Sequence, residues 1–389
     1  FIKRLYEGTL ERQIELDYVI DLYSKVKTNK MKKPIRVIMR MGVYQILYMD
    51  AVPDAAACNE AVKLAQKKGF AALKGFVNGV LRNIARSKAD IVYTSMSVRY
   101  SMPQWIVDLW TAQLGADTAE TVLAGLLKEQ PVTIRFRDVS RSTGIDMGTA
   151  VSAVHKALSA QGGTMERHPY LPYAYRVSGT DDLTRLPYYG NGAFVVQDVS
   201  SMLAVEAIGI ADYVGRMGLN GRRNKARVLD LCAAPGGKSM LAADLLEKCG
   251  VGYEILSRDV SANKVGLMQE NFDRCGLKNI TAGVGDAVQM DETLVGMVDI
   301  VIADVPCSGL GVLGKKRDIK YRVSPDTIAA VTVLQKQILA TAVSYLKLGG
   351  RLLFSTCTVN RDENEKNFRW LRDEMGLTQM SLDHTLPEQ

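Results

Sequence analysis

From about Lys225 onward, short apolar segments alternate with longer helical segments. The apolar segments read "RVLDLC", "YEILS", "NITAGV", "VDIVIAD" and "RLLFS", and stretches such as "SANKVGLMQENFDRCG" lie between them. Uniformly apolar strands that alternate with helices are typical of a parallel sheet covered on both faces. We therefore predict a doubly wound α/β domain over residues 196–389, with a helix that ends at "LGG" (348–350) before the last strand.

Two different patterns precede this domain. Residues 1–92 carry apolar residues at helical spacing and no strand pattern, which predicts an all-α bundle. One of its helices is expected over "LERQIELDYVIDLYSKV". Residues 93–195 mix helical segments with two alternating segments, "PVTIRFR" and "YAYRVSG", and predict a small α+β subdomain that links the other two.

The composition excludes several classes of protein. No uninterrupted apolar run approaches the 18 residues of a membrane span, and no signal peptide is visible. The six cysteines form no CxxC pair and the three histidines are scattered, so neither a metal site nor a disulfide framework is expected. Reduced thiols indicate a cytoplasmic protein.

Positive charge is concentrated in the first part of the chain. Residues 1–90 hold 17 lysines and arginines against 9 acids, an excess of +8, whereas the whole chain has a net charge of +7. A basic module suggests an acidic partner, with nucleic acid as the default. The alternative is an ordinary solvated basic face.

A glycine-containing loop follows the first strand of the α/β domain. In "DLCAAPGGKS", Gly236 and Gly237 allow a tight turn and a close approach to a ligand at the start of a helix. The segment ends like a phosphate-binding GxxxxGK[ST] loop, but Cys232 occupies the first glycine position. The loop predicts a nucleotide-like ligand and argues against a P-loop ATPase.

Acidic residues follow the next three strands. Asp259 ends the second strand, 22 residues after Gly237, where a carboxylate would meet a ribose diol. Asp286 follows the third strand and could meet an adenine edge, and Asp304 ends the fourth. Each alone is more often a cap or turn residue. Together with the loop, they favour an adenosine-type cofactor.

Two cysteines follow the last two strands. Cys307 lies in "ADVPCSGLGVL" and Cys357 in "FSTCTVNRDENE". A thiolate that adds to C6 of cytosine turns the ring into an enamine, whose C5 can then attack a sulfonium methyl group. The C5 proton must later leave so that the thiolate is expelled. One activated thiolate and one group that assists release would meet these needs.

The three motifs "DLCAAPGGKS", "ADVPCSGLGVL" and "FSTCTVNRDENE", in this order, resemble those of the RNA cytosine-5 methyltransferases. The segments "MGVYQILYM", "NEAVKLA" and "VNGVLRN" resemble the NusB-like domain of the bacterial 16S rRNA methyltransferase B branch. The resemblance extends over the whole chain. The family's fold usually adds a final antiparallel strand, so we expect that the natural C-terminus, like the natural start before Phe1, lies outside this sequence.

The resemblance implies S-adenosylmethionine as methyl donor, no metal, and 16S rRNA as substrate of a cytoplasmic, monomeric enzyme without a membrane partner. It places the cofactor on the loop residues and strand-end acids: Cys232, Ala233, Ala234, Pro235, Gly236, Gly237, Lys238, Asp259 (ribose), Asp286 (adenine) and Asp304 (methionine end). It makes Cys357 the nucleophile and Cys307 the residue that assists product release, with Asp304 beside them. In DNA cytosine-5 methyltransferases the nucleophile follows proline, so Cys307 is a rival on motif alone.

Two alternatives remain beside this interpretation, one of another class of protein and one with another substrate. A methyltransferase fold without catalytic activity, joined to an antitermination-like bundle, could serve as a non-catalytic RNA-binding factor. The intact cysteine pair argues against such a loss of activity. An RNA cytosine-5 methyltransferase could also act on another RNA, such as tRNA. Labelled S-adenosylmethionine with ribosomal RNA separates these possibilities.

Overall fold

A computed structural model describes residues 1–128, 131–180, 182–219 and 225–382. The chain divides into two compact units. One comprises Phe1–Glu129 and Gly309–Ser324, and the other comprises Gln130–Ser308 and Pro325–Gln389. The division into three domains at 92/93 and 195/196 remains a prediction, and the two units are described here separately.

The first unit is helical, and residues 1–128 contain no strand. Its core is formed by apolar side chains on facing helices, such as Leu16, Met39 and Leu81. The predicted all-α bundle is therefore confirmed. Its helices are α1 (Ile2–Glu11), α2 (Gln13–Tyr23), α3 (Lys33–Tyr48), α4 (Asp54–Lys67), α5 (Lys74–Ser87), α6 (Met96–Arg99), α7 (Gln104–Leu114) and α8 (Ala116–Leu126).

The helix predicted over residues 10–26 is wrong in its extent. The chain leaves the helical conformation at Arg12, with φ −95° and ψ 12°, so α1 ends and α2 begins there. Most of α1 lies upstream of the predicted segment. Apolar periodicity does not show such a break, because the apolar positions of both helices remain close to helical spacing across it.

Residues 309–324, predicted within the 196–389 domain, pack on the helical unit. Lys320 is buried and donates to the carbonyl oxygens of Glu11 and Ser101, each at 2.6 Å. Arg317 pairs with Glu7 and, at 2.8 Å, with Glu11. The polar segment "GKKRDIKYR" (residues 314–322) contains no pattern that predicts these long-range contacts.

The second unit begins with a four-stranded antiparallel sheet in the order β2-β3-β1-β4. Its central pair, β1 and β3, was predicted. The edge strands were not, since β2 is a largely exposed strand of four residues and β4 spans only three. The elements are β1 (Val132–Phe136), α9 (Ser140–Thr143), α10 (Met147–Ser159), β2 (Thr164–Arg167), β3 (Ala174–Ser178), β4 (Phe194–Val196), α11 (Val199–Glu206) and α12 (Ile210–Arg216).

The remainder of this unit is a five-stranded parallel sheet in the order β7-β6-β5-β8-β9. The chain reverses its direction of travel between β5 and β8, which are neighbours, and ligands of such sheets bind at that switch point. The predicted doubly wound domain is confirmed. Its elements are β5 (Ala226–Asp230), α13 (Gly237–Lys248), β6 (Tyr253–Asp259), α14 (Ala262–Arg274), β7 (Ile280–Val284), β8 (Val298–Asp304), α15 (Pro325–Tyr345), β9 (Leu346–Ser355) and α16 (Glu365–Asp373).

A buried ion-pair cluster joins the two sheets of this unit. Arg135 and Arg137, on and just after β1, both donate to the carboxylate of Asp244 on α13. Burial raises the pKa of Asp244, but the two guanidinium groups more than offset this and hold it below its usual value. Both arginines are almost fully buried, so the cluster fixes α13, the helix that follows the glycine loop.

The predicted helix end at "LGG" is wrong. The helix α15 ends at Tyr345, and residues 348–350 already belong to β9. Gly349 has φ +76°, and the pairing with β8 shifts register between the pairs Val298–Leu346 and Ile300–Arg351. A glycine turn that follows a helix cannot be distinguished from a bulge at the start of a strand by spacing alone.

One helix of the described chain, α15, is long and apolar enough to cross a membrane by length and composition alone. Polar residues such as Lys336 interrupt it. Its buried residues Ile338 and Leu339 lie in the core cluster that also contains Val301 of β8. Length and composition therefore do not distinguish it from a core helix.

Candidate active site

The glycine loop connects β5 to α13. Gly236 has φ +97°, and a Cβ added there would lie 2.6 Å from the ring of Phe272 on α14. A side chain is therefore excluded both by the backbone conformation and by space. The helix begins at Gly237, so the amides of its first turn lack intrahelical acceptors and face the sheet edge where a ligand would bind.

A chain of buried polar groups lies behind this loop. Ser257 donates to the hydroxyl of Ser239 at 2.8 Å, and Ser239 donates to Oδ2 of Asp230 at 2.7 Å. Burial raises the pKa of Asp230 to about 7. Its Oδ1 is buried and has no hydrogen-bond partner among the described residues. Asp230 belongs to the "DLCAAPGGKS" motif, but no role was predicted for it from the sequence.

The other strand-end acids differ in environment. Asp259 is buried, and its Oδ1 accepts from the amide of Ser261 at 3.0 Å. Lys264 lies 3.7 Å from the same oxygen. Asp286 is exposed and accepts from the amide of Val288 at 3.1 Å, as in an Asx turn. Of these two acids, only Asp259 combines burial with a carboxylate oxygen that these contacts leave available.

Asp304, at the end of β8, is engaged on both oxygens. Its Oδ2 accepts at 2.7 Å from Nζ of Lys238, in the first turn of the helix that follows the glycine loop. Its Oδ1 accepts from Ser355 Oγ, at the end of β9, at 2.6 Å. This carboxylate therefore ties the glycine loop to the strand that leads into Cys357.

The two strand-end thiols lie side by side. The Sγ atoms of Cys307 and Cys357 are 3.1 Å apart, and the amide of Cys357 donates to Cys307 Sγ at 3.3 Å. A disulfide has an S–S distance of about 2.05 Å, so the two sulfurs are not bonded. Cys357 is exposed and Cys307 is half-buried. The strands bring them together, because Asp304 and Ser355 pair directly across β8 and β9.

Three of the other four cysteines lack the character of nucleophiles. Burial raises the pKa of the Cys232 thiol to about 12. Burial likewise raises the pKa of Cys58 and of Cys249. A thiol with a raised pKa carries little thiolate at neutral pH, so these residues are suited to packing rather than attack.

Two family models match this chain. The model described as 16S rRNA methyltransferase RsmB/F matches residues 217–383, and the NusB family model matches residues 1–86. A protein named "Probable ribosomal RNA small subunit methyltransferase B" from Bacillus subtilis is 31% identical over the whole of this chain and 83% of its own length. The chain belongs to the 16S rRNA methyltransferase RsmB/F family.

Membership of the RsmB/F family confirms the resemblance read from the motifs and from the NusB-like segments. The enzyme is therefore an S-adenosylmethionine-dependent rRNA methyltransferase. A protein of the same name from Synechocystis is also 31% identical, over the whole of this chain and 84% of its own length.

Solved structures support the fold of this methyltransferase. The crystal structure of PH0851 has a TM-score of 0.74 at 22% identity and covers 96% of this chain and 80% of its own. The structure of NSun6 from Pyrococcus horikoshii with SFG has a TM-score of 0.58 at 19% identity, over 70% of this chain and 87% of that one.

The methyltransferase structure thus places Cys307, Cys357, Asp304 and Lys238 at one edge of the sheet, with the loop residues Cys232–Gly237 beside them. Their individual roles remain predictions. Among the described residues, no group of three or more His, Cys, Asp or Glu side chains could hold a metal ion. Of the three histidines, His384 lies outside the described residues.

Proposed function

We propose that this methyltransferase transfers a methyl group from S-adenosylmethionine to C5 of a cytosine in 16S rRNA, through a covalent bond between Cys357 and C6. The contact between the two sulfurs, 3.1 Å apart at the end of adjacent strands, carries this proposal. A methyl transfer to oxygen or to an exocyclic nitrogen needs no thiol. Two adjacent thiols beside the glycine loop therefore favour attack on a ring carbon.

The residues fit S-adenosylmethionine as the methyl donor. The amides of the first turn of α13 have no intrahelical acceptors and can bind a ligand at the end of the glycine loop. Asp259 is positioned for the ribose hydroxyls, as a buried carboxylate at the end of β6. When bound, the cofactor supplies an electrophilic methyl group. We also assign the adenine end to Asp286 and the methionine end to Asp304.

Cys357 is the group that attacks. It is the more exposed of the two thiols and lies at the end of β9. Its thiolate forms a bond to C6 of the flipped cytosine, and the electron pair of the C5–C6 double bond makes C5 nucleophilic. After C5 has gained the methyl group, a base removes the C5 proton and the electrons of that C–H bond restore the double bond. The C6–S bond breaks in the same elimination, as the double bond forms, and its electron pair leaves with sulfur as the Cys357 thiolate.

Cys307 assists this last step. Its sulfur contacts both the sulfur and the amide of Cys357. It therefore lies beside the Cys357 thiolate as that thiolate leaves C6. Asp304 does not touch either sulfur in these contacts, but through Ser355 it fixes the end of β9. We place it in the site as the group that holds the cofactor loop and the thiol strands together.

The helical unit supplies affinity for rRNA without chemistry. A cleft of about 440 Å³ lies between α4 and α5. Three cations line it, and among the described residues only Lys63 of these has an ion-pair partner, Glu60 at 2.7 Å. Such a basic cleft with amide side chains suits a phosphate backbone. Its lining residues are Asn59, Val62, Lys63, Lys74, Gly75, Asn78 and Arg82.

We further propose that the enzyme acts as a monomer in the cytoplasm. Transfer of labelled methyl groups from S-adenosylmethionine to purified 16S rRNA, followed by bisulfite sequencing, tests the proposed function. The expected result is one protected cytosine in 16S rRNA. Label incorporated only into tRNA, or into 16S rRNA without a protected cytosine, would overturn the substrate or the C5 assignment respectively. Absence of any transfer would favour a non-catalytic RNA-binding factor.

A further inference from the structure

The carboxylate of Glu363 is fully buried between the two cysteine loops. It follows β9 and precedes α16, in the loop that begins with Cys357. Among the described residues, no Lys, Arg or His lies within ion-pair distance of it. A buried carboxylate without a cation is stable only when hydrogen-bond donors satisfy its oxygens.

Neutral donors satisfy both oxygens of Glu363. Oε2 accepts from the amide of Ser308 at 2.8 Å and from Gln335 Nε2 at 3.1 Å. Oε1 accepts from the hydroxyl of Ser308 at 2.5 Å and from Asn360 Nδ2 at 3.1 Å. The hydroxyl of Thr358 lies 2.8 Å from Ser308 Oγ and donates to Oε1 of Glu363 at 3.4 Å.

Two of the residues in this cluster flank the two thiols in the sequence. Ser308 is the neighbour of Cys307, and Thr358 is the neighbour of Cys357. On the other side of Cys307, the carbonyl of Pro306 accepts from the same Gln335 at 2.9 Å. The backbone on both sides of Cys307 is therefore bound to one cluster that is centred on Glu363.

Asn364 completes the arrangement around Cys357. Its Oδ1 accepts from the hydroxyl of Thr356 at 2.5 Å, and its Nδ2 donates to the carbonyl of Thr358 at 3.0 Å. Asn367 holds the cluster from α16, since its Nδ2 donates to Gln335 Oε1 at 2.8 Å and to the carbonyl of Glu363 at 3.0 Å.

We propose that Glu363 is a positioning residue that sets the distance between the two thiols, an inference that rests on the proposed function for its catalytic consequence. The amide of Ser308 binds one oxygen of Glu363, and the hydroxyls of Ser308 and Thr358 bind the other. A side chain in this position must therefore accept hydrogen bonds on two oxygens at once. Because the bonds to Ser308 are the shortest, Glu363 controls the loop of Cys307 more tightly than that of Cys357. Its loss therefore affects product release more than attack.

The first test measures the thiol distance without RNA or cofactor. Diamide takes two hydrogens from the thiol pair, so an S–S bond forms while the diazene is reduced to a hydrazine. In the native protein the sulfurs need to approach from 3.1 Å to about 2.05 Å. We expect rapid formation of the Cys307–Cys357 disulfide, measured by mass spectrometry of peptides, and a rate at least about tenfold lower in Glu363→Gln. The matched control is Glu365→Gln, an exposed neighbour that should oxidise like the native protein.

The second test measures catalysis. Misplacement of a reacting group by about 1 Å can lower kcat by about 100-fold. We expect this loss in Glu363→Gln, with the KM for RNA and the affinity for S-adenosylmethionine unchanged, and with RNA accumulating on the protein. Glu363→Asp should recover part of kcat. A purely structural role would lower cofactor affinity and thermal stability together.

Ser308→Ala provides a second variant if Glu363→Gln fails to fold. It removes one hydroxyl donor and keeps the amide, so we expect an intermediate fall in the oxidation rate. At least one of these two variants is expected to fold. If that variant has the native rate of disulfide formation and the native kcat, the proposed role of Glu363 is overturned. If native protein forms the disulfide readily but methylates no cytosine C5, the proposed function fails while the positioning role stands.

Discussion

Lys238, in the first turn of α13, donates to Asp304 of β8 at 2.7 Å, across the switch point of the parallel sheet. Lys238 is the only cation within ion-pair distance of Asp304 among the described residues. Lys238→Met should therefore leave this carboxylate without a counter-charge and release the loop. We expect a loss of roughly 1–2 kcal/mol in the free energy of unfolding, measured by urea denaturation.

Methyl transfer by Lys238→Met should also fall, because the cofactor loop is no longer tied to the thiol strands. The matched control is Lys248→Met, which removes an exposed lysine from the far end of α13. Equal stability and activity in the two variants would contradict a role for the Lys238–Asp304 contact.

Asp259 should contribute to cofactor affinity. Asp259→Ala removes a buried carboxylate at the end of β6 and leaves ribose hydroxyls unpaired, at a cost of about 1–3 kcal/mol in binding free energy. Calorimetry with S-adenosylmethionine measures this directly. The control, Asp273→Ala, removes an exposed acid from α14 and should leave affinity unchanged. An unaltered dissociation constant for Asp259→Ala would remove this residue from the site.

The stability of the cofactor-free protein should depend on pH through Asp230. Burial raises its pKa from 3.8 to about 7, so between these values the folded state binds more protons than the unfolded state. The free energy of unfolding should therefore fall as pH rises from about 4 to 7. Asp230→Asn keeps an acceptor for Ser239 and removes the titration. Urea unfolding at pH 5 and pH 7.5 should show a fall that is smaller in the variant by roughly 1–3 kcal/mol. An identical fall in both proteins would mean that Asp230 titrates normally.

The cleft between α4 and α5 should carry part of the affinity for RNA. A double variant, Lys74→Ala with Arg82→Ala, should weaken binding and lower the slope of log K against log salt by about 1–2. Its control, Lys3→Ala with Lys25→Ala, removes the same charge from exposed positions outside the cleft. Equal slopes in the two double variants would make the cleft an ordinary solvated surface.

Point variants are better suited to this question than deletion of residues 1–90. Lys320 is buried against Glu11 and Ser101, and the surrounding helical unit lowers its pKa to about 8 through burial. Deletion would expose this lysine and remove both acidic partners of Arg317. Any loss of RNA binding would then be mixed with damage to residues 309–324.

The sequence allowed the parallel sheet to be predicted, because its strands are apolar throughout and its helices are long. The strand ends could also be located from the sequence. Their positions predicted that Cys307 and Cys357 lie in neighbouring loops. Edge strands such as β2 could not be predicted, since an exposed strand of four residues has no clear alternation.

The supporting residues of the site could not be found from the sequence. In "NRDENE" every side chain is polar, and nothing in the pattern distinguishes the buried Glu363 from the exposed Glu365. The same holds for Lys320, whose neighbours in the sequence are charged but whose partners are carbonyl groups more than 200 positions away. Such contacts depend on tertiary packing, which local periodicity does not encode.

The assignment of Cys357 as nucleophile is tested most directly on a denaturing gel of each cysteine variant with substrate RNA and S-adenosylmethionine. Cys357→Ala should form no covalent complex and transfer no methyl group, because it lacks the sulfur that bonds to C6. Cys307→Ala should still attack but stall before release, so that a band of protein cross-linked to RNA accumulates. A trapped band from Cys357→Ala and none from Cys307→Ala would contradict the assignment and make Cys307 the nucleophile.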